Sequence, residues 1–104
     1  MHQQTLCKAI RAHHQVNIHI VGEPNARIFS PHVLFVSTAG HLLVGGIQVL
    51  NPAKPRDVQE WRAFDLSKVQ ALTVRRETFV PDRGFDPRNK LYVNGIRCHV
   101  FQNV

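Results

Sequence analysis

Residues 27–50 read RIFSPHVLFVSTAGHLLVGGIQVL. Two apolar runs, VLFVS (33–37) and HLLVGGIQVL (41–50), flank a turn at Ala39 and Gly40, which predicts two consecutive strands. Pro31 has no N–H for a sheet ladder, so we expect it to mark a bend or an edge between two strand pieces. The paired glycines 45 and 46 indicate a bulge, a sharp bend or a close approach of a backbone or ligand, and we favour a tight bend in a small barrel.

Upstream of this stretch, the spacing of apolar residues changes. Leu6 and Ile10 recur at helical spacing within residues 3–14, with Gln4, Lys8 and Arg11 on the other side, which predicts an amphipathic helix of about three turns. From Val16 the period becomes two, because Val16, Ile18 and Ile20 alternate with polar residues. This alternation predicts a half-buried strand.

Downstream, VQEWRAFD (58–65) and VQALTVRRETFV (69–80) continue the strand pattern. In the first of them, alternation places Arg62 and Trp61 on opposite faces of the sheet. PDRGFDPRNK (81–90) is typical of a loop. In KLYVNGIRCHVFQ (90–102), Asn94 and Gly95 separate two apolar-alternating runs, which predicts a C-terminal β-hairpin.

These elements predict one mainly β domain over residues 1–104. We expect an N-terminal helix (1–15), a small Sm-like or SH3-like barrel (16–80), and a loop followed by the C-terminal hairpin (81–104). One helix followed by short strands at regular spacing favours a barrel, since a closed sheet has no exposed edges.

Composition restricts the class of protein. Thirteen Lys and Arg against seven Asp and Glu give a formal charge of +6, which favours anionic partners. No apolar run is long enough to span a bilayer, and the N-terminus lacks the pattern of a signal peptide, so we expect a cytoplasmic protein with no membrane partner. Cys7 and Cys98 form no C-x-x-C motif. We expect two buried free thiols, and a disulfide is the alternative that a reducing compartment disfavours.

The order of the pieces AIRAHHQVNIHI, RIFSPHVLF, GHLLVGGIQ and WRAFDLSKVQAL, covering Ala9 to about Phe79, resembles the WYL domain family of small Sm-like or SH3-like barrels. The chain departs from the family at its three-residue signature, because His41, Leu42 and Leu43 stand where Trp, Tyr and Leu are expected. Ile20 replaces the tyrosine that usually ends the first strand. The chain thus looks like a divergent, stand-alone member.

The resemblance implies a ligand-sensing or nucleic-acid-binding module of the kind found in bacterial transcriptional regulators. The helix-turn-helix domain that often accompanies it is not part of the pattern here. Carried over by position, the basic ligand-contacting residues of the family are Arg27, His32, Arg62 and Lys68. Guanidinium groups hold phosphate oxygens in a planar fork, and an imidazole gains a second donor when it is protonated. For each arginine, the competing interpretation is a surface ion pair with Glu60 or Asp65.

We therefore expect a non-catalytic domain that binds a nucleotide or nucleic acid through Arg27, His32 and Arg62 on the rim of one pocket. Trp61 and Tyr92 are candidates for base stacking, with core packing favoured for Trp61. No catalytic motif is present, and we expect no enzymatic activity, no cofactor and no bound metal. The alternatives are a protein interaction module that assembles through strand edges, including as a homo-oligomer, and a metal-dependent hydrolase that uses some of the seven histidines.

Overall fold

The N-terminal helix, α1, spans His2–Ala12 in the computed structural model, which describes residues 2–56 and 59–101. Leu6, Ala9 and Ile10 are buried on one side of α1, as the helical spacing predicts. The helix ends two residues before the predicted His14, because His13 adopts a positive φ of 59° and reverses the chain direction. The first strand therefore begins directly at His14.

The strands that follow form one antiparallel sheet. Their bounds are β1 His14–Ile20, β2 Arg27–Val36, β3 Leu42–Leu50, β4 Glu60–Asp65, β5 Val69–Thr78 and β6 Ile96–His99. Short 3₁₀ turns at Leu66–Lys68 and Lys90–Tyr92 precede β5 and β6. Val58, which the sequence pattern assigns to the fourth strand, and Gln102 in the predicted hairpin lie outside the described residues.

The strand order is β4-β3-β2-β1-β5, with β6 paired to β2 beyond the segment that β1 occupies. The mainly β fold with one N-terminal helix is confirmed. The sheet does not close, because β4 and β5 end the strand order and do not pair with each other over the described residues. The predicted closed barrel is therefore not what the described strands form.

Strand β2 runs continuously through Pro31. The ladder to β3 is irregular between Pro31 and Val33, so His32 has no partner in the ladder. Gly46 lies opposite Pro31, and a Cβ at Gly46 would collide with the carbonyl oxygen of Ser30. A close approach of a backbone, one of the three alternatives for the paired glycines, is thus observed at Gly46, whereas the favoured tight bend in a barrel stays a prediction. Pro31 does not divide the strand into two pieces, so that prediction is wrong.

The predicted C-terminal hairpin is also wrong. Asn94 and Gly95 do form a turn, in which Gly95 N donates to Tyr92 O and Asn94 Nδ2 donates to Ser37 O. The run before the turn is a 3₁₀ helix, and β6 after it pairs with β2. The physical reason is burial, since pairing with a central strand buries Cys98 completely.

Apolar side chains cover both faces of the sheet. On one face, α1 packs on β2, β6, β1 and β5 and closes the main core. On the other face, residues 79–95 bring aromatic rings onto the sheet. This aromatic cluster consists of His32, Phe35, Trp61, Phe79, Phe85 and Tyr92. The predicted loop 81–90 is thus irregular in structure but also part of the packing.

Cys7 and Cys98 form a disulfide that joins α1 to β6. The expectation of two free thiols is wrong. Sequence separation gives no indication of pairing here, because the two cysteines meet only when α1 packs on β6. Among the described residues, no helix has the length and apolar character needed to cross a membrane.

Candidate functional site

Arg27 begins β2, and its guanidinium group contacts protein atoms on three sides. Nε donates to Glu23 Oε1 at 2.9 Å, Nη2 pairs with Glu23 Oε2, and Nη1 donates to Gln48 Oε1 at 2.8 Å. The guanidinium carbon lies 5.3 Å from the centroid of the Phe64 ring. The hydrogen bond from Arg27 is the main cause of a lowered pKa of Glu23. These contacts hold the Arg27 guanidinium group in place, and Glu23 neutralises its charge. An anionic ligand therefore has to compete with Glu23 for Arg27.

Arg62 lies on the edge strand β4 and is also paired. Nη2 donates to Glu60 Oε2 at 2.5 Å, and Nη1 donates to the carbonyl oxygen of Trp61 at 3.1 Å. The competing interpretation, a surface ion pair with Glu60, therefore describes this side chain. Lys68 ends the 3₁₀ turn before β5 and is exposed, and it forms no salt bridge with the described residues.

The two arginines lie on the same face of the sheet. Gly46 and Gln48 of β3 pair with Arg62 and Glu60 of β4, so all four positions share a face. Arg27 donates to Gln48 and therefore lies on that face as well. As predicted, Arg62 and Trp61 point to opposite faces, because Trp61 pairs with Ile47.

His32 lies on the other face, within the aromatic cluster. Its ring is fully buried, 5.0 Å from Phe79 and 5.7 Å from Trp61 between centroids. Nε2 accepts a hydrogen bond from the Asp82 backbone N–H at 2.9 Å, so Nδ1 carries the proton and donates to Ser30 O at 2.7 Å. Burial is the main cause of a lowered pKa of His32, which favours the neutral ring.

The predicted pocket with Arg27, His32 and Arg62 on one rim does not form. The two arginines share a face with each other but not with His32, and both nitrogen atoms of His32 already have partners. The physical reason is that β2 continues through Pro31, so Arg27 and His32 lie five residues apart in a single strand. An odd spacing places two side chains on opposite faces.

No family profile, curated protein or solved structure matches this chain. Any functional interpretation of the site therefore depends on the chemistry of its own residues.

A second group of basic residues lies away from the predicted site. Lys8 and Arg11 of α1 and Arg97 of β6 line a groove beside the disulfide, together with Gln3, Gln4 and Cys7. The sequence alone places Gln4, Lys8 and Arg11 together on the polar side of α1, because their spacing is helical. Arg97 comes from the opposite end of the chain, and only the disfavoured alternative of a disulfide at the neighbouring Cys98 indicates that it joins them.

The histidines do not assemble a metal site within the described part of the chain, where no three His, Cys, Asp or Glu side chains lie together. His13 Nε2 lies 2.9 Å from Val100 O, and His14 Nδ1 lies 3.0 Å from Arg75 O. His19 Nε2 lies 2.6 Å from Glu23 O. These three rings therefore connect strands and turns through backbone oxygens.

The two aromatic residues considered for base stacking are packed in the aromatic cluster. Trp61 lies nearly parallel to Phe85, with 6.1 Å between centroids and 11° between planes, and 37% of Trp61 is exposed. Tyr92 is buried and contacts Phe35 edge to face at 4.7 Å. Core packing therefore explains the position of the Tyr92 ring and of the Trp61 face that lies against Phe85.

Proposed function

We propose that this chain is a non-catalytic domain that binds an anionic ligand, a nucleotide or a nucleic acid, in a regulatory or ligand-sensing role. The observation that carries the proposal is an excess of exposed, unpaired cations. Four of the thirteen Lys and Arg side chains form salt bridges with carboxylates of the described residues, namely Arg27, Arg62, Arg75 and Arg88. The other nine are exposed and form no salt bridge with the described residues: Lys8, Arg11, Lys54, Arg56, Lys68, Arg76, Arg83, Lys90 and Arg97.

Unpaired surface cations favour polyanions for a physical reason. Like charges on a small domain repel one another, and phosphate groups remove that repulsion while releasing their own bound counterions. The arginines expected to bind the ligand are the ones already paired with Glu23 and Glu60. The proposal therefore depends more on the exposed cations, including Lys68, than on Arg27 or His32.

The resemblance to WYL domains supports the same proposal. An N-terminal helix followed by the strand order β4-β3-β2-β1-β5, with a 3₁₀ turn before β5, is compatible with an opened Sm-like or SH3-like barrel. We retain a role in transcription regulation as part of the proposal, but not the cytoplasmic location that the sequence leads us to expect. The disulfide argues against a reducing compartment, since such bonds are rare there.

Titration tests the proposal directly. Fluorescence anisotropy with labelled single-stranded RNA, single-stranded DNA and duplex DNA, and calorimetry with ATP, are run at about 50 and 200 mM salt. We expect binding of at least one probe that weakens as salt rises. No binding of any probe at the lower salt concentration would refute the proposed function.

A matched pair of variants tests the residues that the resemblance implies. Arg62→Gln combined with Lys68→Gln removes two charges near β4, and Arg83→Gln combined with Lys90→Gln removes two charges from residues 79–95. If the first pair weakens binding more than the second, the implied site takes part. Equal losses would mean that charge alone, and not this site, determines binding.

A specific feature of the sheet favours a second candidate, a protein interaction module. Strands β4 and β5 each have one neighbour in the described sheet, which leaves one edge of each available for another strand. Strand addition between copies would join β4 of one molecule to β5 of the next. Multi-angle light scattering distinguishes the candidates, because a multimer that binds no anionic probe favours the interaction module.

A further inference from the structure

The groove beside the disulfide has walls from two elements that are distant along the chain. One wall is the polar side of α1, with Gln4, Lys8 and Arg11 at successive turns, and the other is β6 with Arg97. Cys7 precedes Lys8 on α1, and Cys98 follows Arg97 on β6. The disulfide between these cysteines therefore joins the two walls next to their cations.

No Asp or Glu of the described residues lines the groove. Its lining residues are three cations, two glutamines and a disulfide cysteine, and neither α1 nor β6 contains an Asp or Glu. Lys8 and Arg11 are three residues apart on one helix, a spacing at which like charges destabilise the helix slightly. Arg11 also lies in the last turn, where the helix dipole favours a cation. Lys8 in mid-helix and Arg97 on β6 are both exposed.

We propose that this α1–β6 groove binds the sugar-phosphate backbone of a nucleic acid. The inference rests on the proposed function and assigns it a surface and a partner class. Lys8, Arg11 and Arg97 supply the charge. The carboxamides of Gln3 and Gln4 add hydrogen-bond donors and acceptors that suit phosphate, sugar or base edges.

The dimensions of the groove favour a chain of phosphates over a single one. Gln4 and Arg11 are seven residues apart, so the polar stripe extends about 10 Å along the helix axis. Successive phosphates of one DNA strand rise about 3.4 Å along the duplex axis and also advance around it, so a stripe of this length reaches more than one of them. Arg97 approaches from the other wall, and the covalent link between the walls limits the ordering cost of binding.

The test compares two triple variants of equal charge. The groove variant lacks all three cations of the groove and carries Lys8→Gln, Arg11→Gln and Arg97→Gln. The control variant lacks three exposed charges elsewhere and carries Lys54→Gln, Arg76→Gln and Lys90→Gln. We expect the groove variant to bind the best oligonucleotide probe at least about tenfold more weakly at low salt. The slope of log K against log salt should become shallower by about 2 to 3, as expected for three lost phosphate contacts. The control variant should lose less than about threefold, through the general field alone.

Each other outcome overturns a distinct statement. If the wild type binds an oligonucleotide and both triple variants lose equally, the groove is not the binding surface although the proposed function stands. If ATP displaces the labelled oligonucleotide as effectively as unlabelled oligonucleotide does at equal phosphate concentration, the partner is a small phosphate compound and the assignment to nucleic acid is wrong. If the wild type binds no anion, both proposals fail. The single variant Arg97→Gln, which leaves α1 unchanged, repeats the test without altering the helix.

Discussion

Removing the disulfide should lower the free energy of unfolding substantially. The bond joins cysteines 91 residues apart and thus closes a loop that includes most of the chain. Loop-closure entropy for that length corresponds to about 4.6 kcal/mol at 25 °C, and measured losses for native disulfides are typically about 2 to 5 kcal/mol. Domains of this kind have total stabilities of about 5 to 15 kcal/mol, so the bond contributes a large share.

The perturbation is the double variant Cys7→Ala and Cys98→Ala, in which alanine avoids burying a new polar group at the fully buried position 98. We expect the melting temperature to fall by roughly 10 to 40 °C, since each kcal/mol shifts a domain of this size by about 4 to 8 °C. Far-UV circular dichroism should still report the helix at low temperature, because Leu6 and Ile10 remain buried.

The assay is urea unfolding at neutral pH, with and without dithiothreitol. The reductant should bring the wild type close to the double variant and leave the double variant unchanged. Two titratable thiols in the wild type purified without reductant, or a loss below about 1 kcal/mol in the double variant, would refute the reasoning.

Three further predictions concern the sheet and its polar contacts. The urea midpoint should fall as pH decreases from 7.5 to 5.5, because burial lowers the pKa of both His32 and His99 and the unfolded chain takes up their protons first, below about 6.5. His32→Gln should reduce this dependence, and an unchanged pH profile would contradict the role of His32. Gly46→Ala should cost about 1 to 3 kcal/mol in urea unfolding, since its Cβ meets the Ser30 carbonyl oxygen, whereas Gly84→Ala meets only a flexible side chain and should cost less. Glu23→Gln should cost about 1 kcal/mol at pH 7, and the cost should shrink once pH falls below 4.5, the ordinary pKa of the group, and through its lowered folded-state pKa, because protonation of Glu23 removes the ion pair with Arg27. A cost that stays the same down to the acid limit of folding would exclude the pair as the cause.

Features that depend on local pattern were predictable from the sequence. The helical spacing of Leu6 and Ile10 and the alternation from Val16 to Ile20 reflect which side chains the chain itself must bury. The turn at Asn94 and Gly95 was predictable from the Asn-Gly pair, because Gly95 adopts a positive φ of 116° that glycine tolerates. The pairing of β6 with β2 after this turn was not predictable, because a turn determines where the chain reverses and not which strand the next segment pairs with.

Features that depend on distant segments were not predictable. The Cys7–Cys98 disulfide and the α1–β6 groove require the two ends of the chain to meet. The sequence offers this disulfide only as the disfavoured alternative to two free thiols, because local spacing does not report which distant segments pack together. The predicted site failed at His32 for a different reason. Pro31 suggested a strand break, whereas β2 accommodates Pro31 with an irregular ladder, so the spacing from Arg27 to His32 determines their opposite faces.

The central claim, that exposed cations of this domain bind a phosphate-bearing partner, is tested most directly by the salt dependence of oligonucleotide binding. Anisotropy of a labelled oligonucleotide of about 20 nucleotides is followed with wild-type protein between about 50 and 200 mM KCl. We predict a linear decrease of log K with log salt, with a slope of about −2 or steeper. An anisotropy that stays at the value of the free oligonucleotide throughout the titration at the lowest salt would contradict the claim.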